Sequence, residues 1–114
     1  MRPALLFLLS LFLALPVSAH HGWGSYDADN PMTIAGVIDA IALQNPHGEM
    51  TLTLEGEDWL ITLAPLSRMN ARGATAEILR AGAPIKAYGY PKRDGTREIR
   101  AEWIEVDGQR FQLR

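Results

Sequence analysis

Between Pro65 and Gly82 the apolar positions of this 114-residue chain change period. Leu66, Met69 and Asn70 stand at helical spacing with Arg72-Gly73 as a stop. Thr75 then reads as the N-cap of a second short turn through Ala76, Glu77, Ile78 and Leu79 that ends at Gly82, with Pro84 beyond. On both sides the pattern is that of strands. Upstream, MTIAGVIDAIAL (Met32 to Leu43) is β-branched and apolar, and Gly36 within it suggests a bulge or sharp bend. Met50, Leu52 and Leu54 alternate with polar neighbours, Gly56-Glu57-Asp58 turns the chain, and Trp59, Ile61 and Leu63 complete a hairpin. Downstream, Ile85, Ala87 and Gly89 alternate with Lys86, Tyr88 and Tyr90. Asp94-Gly95 turns into a fifth strand headed by Ile99, Ala101 and Trp103, and Asp107-Gly108 leaves a short extension with Phe111 and Leu113. Three strands, a helical insert and two strands, the first long and bent, predict an all-β fold with one helix. This is the order of a five-stranded OB-like Greek-key barrel (β-β-β-α-β-β). An SH3-like barrel is the main rival, and it does not ordinarily carry so long an insert between strands three and four.

The start of the chain follows a different rule. Met1-Arg2 is a short basic opening, Ala4 to Leu15 is apolar except for Ser10, and Pro16-Val17-Ser18-Ala19 puts small residues where a signal peptidase reads. We expect a signal peptide over residues 1–19 cleaved after Ala19, an N-terminal arm over 20–31, and a barrel domain over 32–114. A membrane anchor would need about 20 predominantly apolar residues, and Pro16, His20, His21 and Gly22 end the run early. The expected location is periplasmic, with no stable membrane insertion after cleavage. Without Arg2 the mature stretch carries ten basic and thirteen acidic groups. An acidic, exported domain argues against a nucleic-acid ligand, although Tyr88, Tyr90, Lys86, Lys92 and Arg93 gather near the fourth strand. The chain has no cysteine, which excludes disulfides, thiolate metal sites and a cysteine nucleophile. No GxSxG, HExxH or phosphate-binding glycine loop appears, and with Ser25 and Ser67 its only mature serines the chain is not expected to be a serine hydrolase.

The three histidines fall in two places: His20 and His21 at the expected mature start, and His47 in Asn45-Pro46-His47-Gly48, whose residue types suit a type I turn. Cleavage after Ala19 would give His20 a free amine with an unperturbed pKa of about 7.7 to 8.0. Amine, ring nitrogen and a second imidazole form a near-planar nitrogen set of the kind that suits copper(II). His21 permits a second mode through the intervening amide. His47 joins only if the arm folds back along the first strand, with Trp23 and Tyr26 as anchors. Asp27 and Glu49, with Asp29 and Asp39, flank these loops as candidate acceptors for ring N–H groups.

The expectation is a periplasmic metal-binding domain holding copper through His20, His21 and His47. The alternative is a non-catalytic ligand- or protein-binding barrel without metal. A copper enzyme is a further reading, weakened because the sequence presents no aromatic platform for a polymer. The signal, the AHH start, Asp27, the Asn45-Pro46-His47 turn and Gly89, Tyr90, Pro91 and Gly95 of "AYGYPKRDG" together resemble an uncharacterised family of small exported bacterial proteins. The resemblance spans the mature chain and implies an OB-like periplasmic domain with no assigned activity.

Overall fold

The computed structural model describes residues 22–114; the expected signal segment and His20 and His21 lie outside them. Six strands and one helix follow the expected order: β1 (Met32–Ala42), β2 (Glu49–Leu54), β3 (Glu57–Thr62), α1 (Leu66–Ala71), β4 (Pro84–Pro91), β5 (Glu98–Val106) and β6 (Gln109–Gln112). They form one sheet in the order β3-β2-β1-β4-β5-β6. A parallel pairing of β3 with β5, from Leu60 opposite Glu98 to Thr62 opposite Arg100, closes the first five strands into a barrel. The expected OB-like barrel is therefore present, and the expected terminal extension is a sixth strand laid antiparallel against β5.

Period-two alternation determines what fills the barrel, because alternate side chains of a strand point to opposite faces. Leu52, Ile61, Ala87, Ile99, Ala101 and Ile104 point inward and are fully buried. The helical insert supplies Met69 and Leu79, also fully buried. Gly73 ends α1 with φ +81°, a conformation that favours glycine. Past it the chain makes a single turn at Thr75, where the carbonyl accepts from Leu79 N–H at 2.9 Å.

Three local expectations are corrected. The β2–β3 turn is centred on Glu55 and Gly56, both with positive φ, and not on Gly56-Glu57-Asp58; two such residues match the twist of a tight hairpin. The irregularity in β1 lies between Ile38 and Ala40, beyond Gly36, where the pairing with β2 shifts. Asn45 to Gly48 is a bend with a cis Asn45–Pro46 bond, not a type I turn. Asn45 Oδ1 instead accepts Leu66 N–H at 3.1 Å, taking up one of the free donors at the start of α1. A second shift, between Tyr88 and Gly89, marks where β4 and β5 approach so closely that a Cβ on Gly89 would overlap the Arg100 backbone. No helix among the described residues is long and apolar enough to cross a membrane.

Candidate functional site: a cleft closed by the returning arm

The arm folds back onto the barrel. Trp23–Ser25 forms one 3-10 turn, whose end is marked by Tyr26 N–H donating to the Trp23 carbonyl at 3.0 Å. Tyr26 then forms an antiparallel bridge with Lys92, and Asp27 N–H donates to the Pro91 carbonyl at 2.8 Å. Arg93 holds the same stretch from the other side, its backbone N–H donating to the Ser25 carbonyl at 3.0 Å and its Nε to the Gly24 carbonyl at 3.2 Å. Both expected anchors are used, in different ways. Tyr26 is buried, 6 % exposed, whereas Trp23 is 42 % exposed and lies under two guanidiniums.

The Tyr26 hydroxyl donates to the Glu98 carboxylate, and Thr62 Oγ1 donates to the same oxygen at 3.2 Å. Burial, reinforced by the bond to Glu98, pushes the Tyr26 phenol up to about 12. The phenol therefore stays protonated as a donor across the neutral range. Arg100 stands beside this pair, and its own burial pushes the guanidinium down from its usual value.

Beyond the pair opens a cleft of about 350 Å³. The β1–β2 loop gives it His47 and the start of β2 gives Glu49. The arm gives Tyr26, and the β4–β5 side gives Lys92, Glu98 and Arg100. One imidazole and two carboxylates thus share a space with two cations. Among the described residues no group of three or more His, Asp or Glu side chains is placed to hold a metal ion, so His47, Glu49 and Glu98 do not form a complete cage by themselves.

Of the residues expected at the site, His47 and Glu49 line this cleft, while His20 and His21 are outside the described residues. Asp27 has a local task. Its carboxylate accepts Asp29 N–H at 3.1 Å and Asn30 Nδ2–H at 2.9 Å, and the Asn30 bond holds its carboxyl below the usual range. Sequence reasoning missed Tyr26 as a cleft residue, and also Glu98, Lys92 and Arg100. The outward phase of β5, set by inward Ile99 and Ala101, places Glu98 and Arg100 on one side, but only barrel closure shows what they face.

The outer surface of β4–β6 carries a second feature. Tyr88 and Trp103 are directly paired across the strands, their rings stacked at 5.4 Å and 8°, and the Arg110 guanidinium lies 3.7 Å over Trp103. Tyr90 continues the row at 6.3 Å from Tyr88, and Trp23 joins at 5.7 Å from Tyr90. The structure therefore assembles an aromatic row that the sequence alone does not reveal. Its Trp23 end arrives from the arm, 67 positions away in chain numbering from the Tyr90 strand position it meets.

A family model described as a family of unknown function (DUF6152) matches residues 8–100. The chain belongs to that family. No curated protein matches it in sequence. Among solved structures, the chain resembles one from the S. pombe Stn1–Ten1 complex at a TM-score of 0.55 and 17 % identity, over 67 % of this chain and 57 % of that one. It also resembles a chain from the complex of TiaS with a tRNA and ATP at a TM-score of 0.51 and 14 % identity, over 68 % of this chain and 18 % of that one. The chain thus spans less than two thirds of either neighbour, and at these identities the likeness is one of fold.

Proposed function

We propose that this member of the family is an exported, periplasmic copper(II)-binding domain in which His47 joins donors from the mature amino terminus, His20 and His21. The observation that carries the proposal is the return of the arm: Tyr26 lines the cleft that contains His47. The return does not follow β1, the path expected from the sequence, but crosses the end of β4 and the connection to β5 through Pro91, Lys92 and Arg93. His20 is six positions from Tyr26, and extended chain covers at most about 3.3–3.6 Å per residue, so roughly 20 Å of reach is available. The donor chemistry fits the ion. An amine and imidazoles make a nitrogen set in which copper(II) heads the divalent first-row affinity order. Glu49 lines the same cleft, and in the proposed site its carboxylate accepts a ring N–H and so orients an imidazole. The described residues alone lack a three-ligand group, so the proposal requires the terminal histidines.

Periplasmic product should begin at His20 and carry copper when measured intact by mass spectrometry. Mature protein with that authentic start should bind one copper(II). An extra residue before His20 should weaken binding by at least about tenfold, the cost of roughly 1.4 kcal/mol in coordination. A different first residue, or affinity indifferent to the extension, would refute the proposal.

A second reading is a ligand- or protein-binding module without metal. It is favoured by the position of the cleft, between the β1–β2 loop and the β4–β5 side, where OB barrels commonly present binding loops, and by its facing cations and carboxylates. Capture of a ligand or partner in the presence of chelator, unaffected by the His20 extension, would select this reading.

A further inference from the structure

We propose that Arg100 and Arg114, both lying over Trp23, and Arg68 beside Arg114 form an oxyanion site for a phosphate or sulfate group, adjoining through Arg100 the cleft described above but needing no metal. The Arg100 guanidinium lies 4.2 Å from the Trp23 ring centroid and that of Arg114 lies 4.4 Å from the same centroid. One indole thus holds two like charges, at a separation no greater than those two distances combined. Arg68 is drawn to the same place because its Nη1 donates to the Leu113 carbonyl at 3.3 Å.

The convergence is costly to the fold. Burial, then the charges of Arg100 and Arg68, push the Arg114 guanidinium down to about 10, with only partial relief from Glu102 and Tyr26. Glu102 is already engaged as the acceptor of the Tyr90 hydroxyl at 2.9 Å. Nε and Nη2 of Arg114 are buried with no hydrogen-bond partner. Three arginines elsewhere on the barrel are matched by carboxylates: Arg80 by Asp107, Arg97 by Glu57 and Arg110 by Glu105. Among the described residues no such ion pair includes Arg68 or Arg114.

An oxyanion answers each of these features. Guanidiniums present planar forks of N–H donors that match phosphate and sulfate oxygens, and charge-assisted bonds of this kind are the strong ones. The indole shields one side of each cation from water, which strengthens its attraction for an anion. The shared ligand chemistry is a tetrahedral, anionic oxygen group, whether it arrives as a free ion or on a phospholipid headgroup.

The test uses the mature chain labelled with 15N, in chelator, titrated with sodium phosphate or sodium sulfate against sodium chloride at equal ionic strength. Both oxyanions should produce a saturable shift of the Trp23 indole N–H that chloride does not. Arg114→Gln and Arg68→Gln should each weaken that binding by about tenfold, as loss of one charged hydrogen-bonding partner predicts, whereas Arg80→Gln should leave it unchanged. The dispersion of the remaining amide signals checks that each variant is folded. Flotation with phosphatidylglycerol vesicles, compared with phosphatidylcholine, separates the two sources: retention that depends on Arg114 without a response to free ions assigns the group to a lipid headgroup. No oxyanion or vesicle response, or a response that survives the Arg68→Gln, Arg114→Gln double variant, would overturn the site.

Discussion

The helical insert and the amino-terminal arm both lie against the barrel, but different forces hold them there. The insert is an apolar plug: Met69, Ala74 and Leu79 are completely buried. The arm is a polar strap. Among the described residues it buries Tyr26 alone of its large side chains, and it depends on backbone bonds to Pro91 and Arg93, the phenol–carboxylate bond to Glu98 and the cations over Trp23. Apolar burial acts in proportion to area and is indifferent to proton binding, whereas a charged hydrogen bond exists only while both partners hold the required protonation state. The difference separates two tasks: the plug maintains the barrel, and in the proposed site the strap is what would bring the arm's histidines toward His47.

Substitution should expose this division. Met69→Ala, which empties a fully buried position, should cost about 2–5 kcal/mol of global stability in urea unfolding, because the cavity only partly collapses. Amide exchange in the arm should rise only as far as the whole barrel is destabilised. Tyr26→Phe should have the smaller global effect, about 1.5–3 kcal/mol at most for a hydrogen bond to a charged group. Its exchange signature should be concentrated at Tyr26 and Asp27, whose N–H groups bind the Trp23 and Pro91 carbonyls. Equal loss of protection across barrel and arm in both variants would erase the distinction.

Alkaline titration sharpens the same contrast. The Tyr26 phenol is raised in the folded chain from 10.0 to about 12. A raised pKa stabilises the fold while the group is protonated in both states, so the contribution is complete below pH 10 and lost as pH rises towards 12. Over that window Met69→Ala should keep the decline of the parent protein, and Tyr26→Phe should lose the phenol's share of it. The difference between parent and Tyr26→Phe curves isolates the phenol from other groups that titrate there. Parallel curves would contradict the assignment.

What the sequence made legible was local. Period-two runs gave the strands, and Gly73, Asp107-Gly108 and Gly95 mark real turns because positive φ is a residue-level property. Gly36 draws attention as the bend in β1 because glycine is the visible permissive residue, while the actual irregularity, at Asp39, is set by the pairing with β2. The cleft is legible only at its His47 and Glu49 edge. Its other wall needs β3 to close against β5, and Tyr26 meets Glu98 across 72 positions of chain. Neither contact leaves a periodic trace. The aromatic row is hidden for the same reason: Tyr88 and Trp103 are paired only through the β4–β5 register, and Trp23 reaches Tyr90 only through the returned arm.

The most direct test of the proposed site is to count the nitrogen ligands of copper(II) in mature protein that starts at His20, using pulsed electron paramagnetic resonance, and to repeat the count in His47→Ala. Returned as proposed, the arm shares its metal with His47, so the variant should lose one coordinated imidazole and bind copper at least about tenfold more weakly. The same number of imidazoles and the same affinity in both proteins would show that His47 and the amino terminus do not meet at a metal.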